Sequence, residues 1–144
     1  MLRLVIAVSI LVASGCAILQ TDIPPSHPDF FVCNWCVDRN QNGKIDDGEW
    51  EGIKDDFREC EHISFVGYFH QKPGTELAFK LIGPDGSIYK QKSLKQTAKT
   101  TIWCQEYEAK DLVNACGAGM WTIEWYAGGK LVNITTIRIL KNPD

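Results

Sequence analysis

After residue 60, apolar and polar residues alternate with period two, and this alternation constrains the fold more than any other feature. Such a pattern is typical of β-strands that bury one face. Turns at Pro84-Asp85-Gly86 and Gly128-Gly129 separate the segments, since glycine tolerates the positive φ of a tight hairpin. The predicted strands are residues 62–69, 76–82, 87–92, 101–107, 120–126 and 130–140. Strands with such short connections predict an antiparallel β-sandwich.

Aromatic residues occupy alternating positions near the end of the chain. Trp121, Ile123 and Trp125 alternate with polar residues, which predicts that both indoles face the core. The alternative is that Trp103, Trp121 and Trp125 stack on sugars, and their exposure distinguishes the two interpretations. The last hairpin resembles the final strand pair of immunoglobulin-like sandwiches in bacterial envelope proteins. That resemblance spans roughly the last eighty residues and implies no catalytic motif.

The most specific motif is the segment 38–49, DRNQNGKIDDGE. Oxygen-bearing side chains occupy alternate positions, a glycine the sixth position and a glutamate the twelfth. Alternate positions of a curved loop can aim their oxygens at one centre, and calcium takes six to eight oxygen ligands. Because every specified position of D-x-[DN]-x-[DN]-G-x5-E is matched, the segment resembles the calcium loop of EF-hand proteins.

The resemblance to EF-hands implies a set of calcium ligands. They are the side chains of Asp38, Asn40 and Asn42, the backbone carbonyl of Lys44, Asp46 through a water, and both carboxylate oxygens of Glu49. Gly43 permits the sharp turn, and Ile45 is the apolar anchor. Because two ligands are neutral amides, the expected affinity is modest, in the sub-millimolar to millimolar range of extracellular modules. The alternative is a polar turn that only caps a helix.

Apolar residues after this segment recur at helical spacing. Trp50, Ile53, Phe57 and Cys60 lie 3, 4 and 3 residues apart, which predicts an exit helix of about a dozen residues. The preceding segment, 30–37, is either a brief helix or a strand. The predicted fold class is therefore α+β, with a short EF-hand-like loop-helix unit at 30–60 packed on a mainly antiparallel β-sandwich at 61–144. Since EF-hands usually work in pairs and this chain has one such loop, we expect calcium to be structural rather than a switch.

The first fifteen residues resemble the signal peptide of bacterial lipoproteins. Arg3 precedes an apolar stretch at 4–13. Ala13-Ser14-Gly15-Cys16 resembles a lipobox, although the family usually has Leu at the position of Ala13. The resemblance implies that Cys16 carries a diacylglyceryl group and begins the mature chain; the alternative is secretory cleavage without a lipid. The proline-containing segment 16–29 then predicts an extended tether.

The resemblance to lipoproteins also implies a location. The mature protein is expected in the bacterial cell envelope, anchored through the lipid on Cys16, and at the outer membrane if the host is Gram-negative. A protein exported to that compartment meets an oxidising environment, which favours disulfides.

Five cysteines remain beyond Cys16. They are Cys33, Cys36, Cys60, Cys104 and Cys116. The expected bonds are Cys104–Cys116, which would staple a loop of the sandwich, and a bond from Cys60 to Cys33 or Cys36. The second bond would pin the exit helix to the segment before the loop.

Two further interpretations use the same cysteines. Cys33-Asn34-Trp35-Cys36 is a C-x-x-C sequence, so a periplasmic thiol redox enzyme is an alternative function. Cys33, Cys36, Cys60 and His62 could instead hold zinc in a structural domain.

Composition narrows the function classes. Lys and Arg number 15 and Asp and Glu 18, and the net charge of -3 gives no broad electrostatic reason to bind nucleic acid. No nucleophile elbow, phosphate loop or paired-carboxylate motif indicates an enzyme. The sequence therefore predicts a membrane-anchored, calcium-binding envelope lipoprotein that acts as a binding or assembly module. The expected partner is an envelope protein or a polysaccharide.

Overall fold

The computed structural model describes residues 29–143, and that part of the chain contains ten β-strands and one short helix. The strands are β1 (Phe30–Cys33), β2 (Trp35–Cys36), β3 (Trp50–Glu51), β4 (Asp56–Arg58), β5 (His62–Phe69), β6 (Glu76–Ile82), β7 (Ile88–Lys95), β8 (Thr101–Glu108), β9 (Gly119–Ala127) and β10 (Lys130–Leu140). The helix, α1, spans Ala109–Cys116.

These strands form two larger sheets and one small one. The first sheet has the order β1-β5-β8, the second has the order β4-β10-β9-β6-β7, and β2 pairs with β3 alone. All neighbours are antiparallel except β4 and β10, which are parallel. Strands β1 and β4 lie within residues 30–60, so that segment contributes to both larger sheets.

The main core lies between the two larger sheets. Alternate residues of each strand point into it, so that β6 contributes Leu77, Phe79 and Leu81, all fully buried. Trp121 and Trp125 are also fully buried, as the alternation predicts. Two facing sheets with a shared apolar interior confirm the predicted β-sandwich.

The predicted exit helix is wrong, and with it the α+β fold class: the described chain is mostly β. Gly52 has φ +72°, and a Cβ at this position would lie 2.5 Å from Asn34 Oδ1. The chain therefore turns away after β3 and re-enters as β4. There Phe57 is buried in the main core between exposed neighbours and pairs with Ile139 of β10. Packing against a distant strand overrides the helical spacing of the apolar residues.

Helix α1 was not predicted. Its buried residues Ala109, Leu112 and Val113 cover one end of the main core. It ends at Gly117, which has φ +90° and donates its N–H to the carbonyl of Val113 at 2.8 Å. A glycine just beyond the last turn is a frequent helix terminator because it adopts positive φ without strain.

Candidate functional site

The segment 38–49 connects β2 to β3, and we call it the 38–49 loop. Trp35 pairs with Glu51 and Cys36 with Trp50, and Val37 donates its N–H to the carbonyl of Glu49 at 2.9 Å. The ends of the loop are therefore joined by a short antiparallel hairpin rather than by helices. This is the main departure from the EF-hand arrangement that the sequence resembles.

Glu49, the last residue of the loop, forms hydrogen bonds to backbone groups near both ends of it. Its side chain is buried, with the residue 7% exposed. One carboxylate oxygen, Oε1, accepts the N–H groups of Arg39 at 2.9 Å and Asn40 at 3.2 Å, and Oε2 accepts that of Asp46 at 2.9 Å. A carboxylate is an acceptor only, so these donors fix both of its oxygens toward the loop interior.

Asp38 holds the first half of the loop in the same manner. Its Oδ2 accepts the N–H of Gly43 at 2.8 Å, and its Oδ1 accepts that of Asn42 at 3.1 Å. Gly43 has φ +78°, and its preceding turn also places Gln41 at φ +58°. The sharp turn predicted at Gly43 is thus present, and it brings the first carboxylate of the loop over the middle of the segment.

A third set of contacts joins the side chains of Asn40, Asn42 and Asp46. Asp46 Oδ2 accepts hydrogen bonds from Asn40 Nδ2 at 2.8 Å and from Asn42 Nδ2 at 2.6 Å. These two bonds hold the pKa of Asp46 below its usual value of 3.8. The side chains of Asn40, Asn42 and Asp46 are therefore in mutual contact, whereas Asp38 and Glu49 bond to backbone N–H groups of the same loop. Lys44 donates its backbone N–H to Asn42 Oδ1 at 2.9 Å.

Charge in the loop is unbalanced toward negative. Asp38, Asp46, Asp47 and Glu49 are acidic, against the basic residues Arg39 and Lys44. Arg39 is drawn away because its Nη2 lies 2.6 Å from Oε1 of Glu51. Carboxylates of one short loop repel one another, and a divalent cation relieves that repulsion. The donor set of carboxylate and amide oxygens is the kind that calcium prefers, so the residues present fit this ion.

The hairpin that carries the loop lies on the outer face of the three-stranded sheet. Phe31 and Tyr68 belong to a second, smaller apolar cluster there, and the Trp50 ring packs on both, at 5.1 and 5.8 Å between ring centroids. The hydroxyl of Tyr68 donates to Asp47 Oδ1 at 3.0 Å. Burial and the Asp47 carboxylate raise the pKa of Tyr68. No sequence pattern predicts this contact, which joins residues 21 positions apart.

A disulfide between Cys36 and Cys104 fixes the hairpin to β8. A disulfide was predicted, but the predicted partners are wrong. Cys104 faces the hairpin, whereas Cys116 ends α1 and lies 3.3 Å from the Ser87 hydroxyl. Cys60 is exposed and unbonded, so it is joined to neither Cys33 nor Cys36.

The remaining thiol of the C-x-x-C sequence, Cys33, is buried beneath the hairpin. Burial raises the pKa of its thiol to about 11, so it is almost entirely protonated at neutral pH and a poor nucleophile. The four predicted zinc ligands do not come together in residues 29–143, since Cys36 is in the disulfide and Cys60 is exposed. His62 instead directs Nδ1 to Glu108 Oε1 at 3.0 Å.

The exposure of the tryptophans decides between core and sugar-binding face. Trp103 is 7% exposed and Trp121 and Trp125 are fully buried, so these three form the core and not a binding surface. The half-buried Trp50 packs on the small cluster. Trp35 is the exception, with 49% of its surface exposed.

The predicted signal peptide, the lipid attachment at Cys16 and the tether up to residue 28 lie outside the described residues. Between residues 29 and 143, no helix has the length and hydrophobicity needed to cross a bilayer.

Comparisons with solved structures show a distant similarity to known proteins. No protein-family model matches the sequence, and no curated protein is significantly similar to it. Among solved structures, the chain is similar to an immunoglobulin-like protein from Pseudomonas aeruginosa, with 13% identity and a TM-score of 0.37. The similarity covers 65% of this chain and 84% of that chain. It is too distant to indicate a ligand or an activity.

Proposed function

We propose that this chain is a calcium-binding module of the bacterial cell envelope, anchored through a lipid on Cys16, that binds or assembles another envelope component. Calcium would be held in the 38–49 loop by Asp38, Asn40, Asn42, Asp46 and Glu49, with the carbonyl of Lys44. Its role would be structural: it would stiffen the β2–β3 hairpin.

The observation that carries the calcium proposal is the arrangement of Glu49. A buried carboxylate is costly unless it is paired, and here it joins the two ends of a loop that holds three further carboxylates, those of Asp38, Asp46 and Asp47. A polar turn that only caps a helix would not need this burial. No helix follows the loop, so the capping interpretation loses its basis.

A structural role for calcium follows from how the loop is mounted. The hairpin on which it closes is bonded to β8 at Cys36 and packed on β5 through Trp50. These attachments restrict the opening motion that a calcium switch needs. A modest affinity would still keep the loop filled where calcium is abundant.

The decisive experiment is a melting curve of the purified protein with calcium, with magnesium and with chelator. Calcium at ten to a hundred times its Kd should stabilise the protein by about 1.5 to 3 kcal/mol. Magnesium should do less, because it demands a tighter octahedral shell and keeps its waters. Equal midpoints with calcium and with chelator would contradict the proposal.

Variants separate binding from general stability. Glu49→Gln and Asp38→Asn should each abolish the calcium-dependent rise, because each removes one charge from the donor set. Glu51→Gln is the matched control, since Glu51 is exposed, two residues from Glu49, and pairs with Arg39. The melting midpoint of Glu51→Gln should rise with calcium as much as that of the natural protein.

The lipid anchor has its own test. Mass spectrometry of the protein recovered from a bacterial membrane fraction should show a diacylglyceryl group on Cys16, and Cys16→Ser should release the protein into the soluble fraction. An unmodified chain beginning elsewhere would contradict the anchor while leaving the calcium site unaffected.

A thiol redox function is not favoured, because Cys36 is bonded to Cys104 and the Cys33 thiol is buried. Alkylation of the folded protein at pH 8 should therefore label Cys60 and spare Cys33. Rapid labelling of Cys33, together with a reversible Cys33–Cys36 bond, would favour the redox enzyme instead.

A further inference from the structure

Trp35 lies exposed in a cleft of about 450 Å³, formed where the β2–β3 hairpin meets the start of β5. Asn34, Glu51, Gly52, Glu61 and His62 line it with Trp35. The volume is within the range of small-molecule sites. The cleft is separate from the 38–49 loop, although Trp35 and Glu51 are the cross-strand pair at the base of the same hairpin.

The Trp35 ring is fixed in place although it is exposed. One face stacks on the imidazole of His62, with 4.1 Å between centroids and 5° between planes. His62 is itself held by Glu108 at 3.0 Å. Since one face of the indole is covered and 49% of the residue remains exposed, the opposite face is the one available to a ligand. A ring that is already ordered loses little conformational entropy on binding.

The charged groups around this ring are two carboxylates, and each is paired with a basic side chain. Glu51 pairs with Arg39 at 2.6 Å, and Glu61 pairs with Lys54. Burial alone would raise the pKa of Glu61, but the hydrogen bonds from Lys54 and from the backbone N–H of Arg58 lower it, so the carboxylate is ionised at neutral pH. Because each carboxylate has a base beside it, the lining offers hydrogen-bond acceptors without an excess of charge.

An open aromatic face beside charge-balanced acceptors fits a neutral ligand that has one apolar face and many hydroxyls. A strongly cationic ligand would need unpaired carboxylates, and an anionic one would need unpaired bases, whereas Arg39 and Lys54 are paired with Glu51 and Glu61. We propose that this cleft is a saccharide-binding subsite, in which Trp35 stacks on a pyranose ring and Glu51 and Glu61 accept hydrogen bonds from its hydroxyls. The inference rests on the proposed binding-module role and assigns a polysaccharide, rather than a protein, as the partner.

The test is a titration followed by NMR. The five tryptophans give five indole N–H signals, so binding at Trp35 is visible apart from the buried rings. The probes are two neutral trisaccharides, tri-N-acetylglucosamine and cellotriose, at concentrations up to about 10 mM, which is enough to fill a millimolar site. At least one should shift the Trp35 signal in a saturable way and leave those of Trp121 and Trp125 in place.

Variants then assign the contact. Trp35→Ala should raise Kd by about tenfold, and Trp35→Phe should raise it less because an aromatic face remains. Ile88→Ala is the matched control, since Ile88 is equally exposed but lies on β7, and it should leave Kd unchanged. Melting curves of all three variants show whether the fold is intact.

The titration is run both in saturating calcium and in chelator, so that the two proposals fail separately. Absence of any calcium effect on melting would contradict the calcium site, but saccharide binding would still be measured. The saccharide proposal is overturned if neither probe shifts Trp35, if Trp35→Ala binds as tightly as the natural protein, or if a lysine-rich peptide binds the cleft while both saccharides do not.

Discussion

Cys36 is bonded to Cys104, 68 residues further along the chain, with 7.1 Å between their Cα atoms. Cys36 is the last residue of β2, two positions before the 38–49 loop begins, and Cys104 lies in the middle of β8. The bond therefore fixes one end of the candidate calcium loop to the three-stranded sheet. The order of the loop and the stability of the sandwich are coupled through this attachment.

Removal of this disulfide should destabilise the protein strongly. In the chain-entropy account, opening a loop of this length costs about 4 kcal/mol. The double variant Cys36→Ala/Cys104→Ala should lose roughly that much unfolding free energy in a denaturant titration and should bind calcium more weakly. Cys60→Ala is the control, because Cys60 is exposed and unbonded. A loss of stability in the control as large as in the double variant would contradict the assignment.

The strands after residue 60 could be predicted because each is long, and β6 and β9 also alternate in burial. β6 illustrates this: exposed or half-buried residues separate Leu77, Phe79 and Leu81. The turn at Gly43 was also predictable, since it depends on a local hydrogen bond to Asp38 within the motif itself. For such segments the sequence contains most of the interactions that determine the structure.

Short elements were not predictable from local pattern. β4 has three residues, and its structure depends on pairing with β10 about eighty residues away, as in the pair Phe57 and Ile139. The disulfide likewise depends on which face of β8 carries Cys104. Helix α1 does have a local pattern: Ala109, Leu112 and Val113 recur at helical spacing before Gly117. The pattern is short and lies between two long strands, so it is weak beside theirs.

Gly43 should be sensitive to substitution although a Cβ added there would have no atom within 4 Å. Its φ of +78° is in the left-handed region, which costs a residue with a side chain about 1 to 2 kcal/mol. Gly43→Ala should lower stability by that amount and weaken calcium binding, since its N–H is held by Asp38. Gly43→Asn should be milder, because Asn tolerates this region.

Gly74 provides the control for that experiment. It has φ +90° and equally open surroundings, but it lies outside the loop. Gly74→Ala should destabilise the protein to a similar extent and leave calcium affinity unchanged. If Gly43→Ala also left calcium affinity unchanged, the turn at Gly43 would have no part in binding.

The ion pair between Asp56 and Arg138 should contribute to the acid dependence of stability. Arg138 donates Nε to Oδ1 at 3.0 Å and Nη2 to Oδ2 at 2.7 Å, and these bonds lower the pKa of Asp56 from 3.8. A lowered pKa means that the stabilisation is complete above pH 3.8 and is lost as the pH falls through the folded-state value. Arg138→Gln should return the pKa of Asp56 toward 3.8, measured by NMR of its carboxyl carbon.

In denaturant titrations, Arg138→Gln should therefore be less stable than the natural protein at pH 7, and the difference should shrink as the pH falls below 3.8 and Asp56 becomes protonated. Arg58→Gln, on the same strand as Asp56, should leave the Asp56 pKa unchanged. A difference between Arg138→Gln and the natural protein that persisted undiminished at the acid end would mean that the pair acts through packing and not through charge.

Trp125 lies at the centre of the aromatic core, where its ring contacts those of Phe69, Phe79 and Trp103 at centroid distances of 5.7 to 6.0 Å. Trp125→Ala should cost about 3 to 5 kcal/mol, because the cavity could not collapse. Trp125→Phe should cost much less, since in the described structure its buried Nε1 has no hydrogen-bond partner. Trp121 is the matched comparison, equally buried but donating Nε1 to the carbonyl of Gly117 at 3.2 Å. Trp121→Phe should therefore destabilise more than Trp125→Phe in chemical unfolding, because it leaves that carbonyl unpaired; the opposite order would show that ring volume, and not the hydrogen bond, decides the cost.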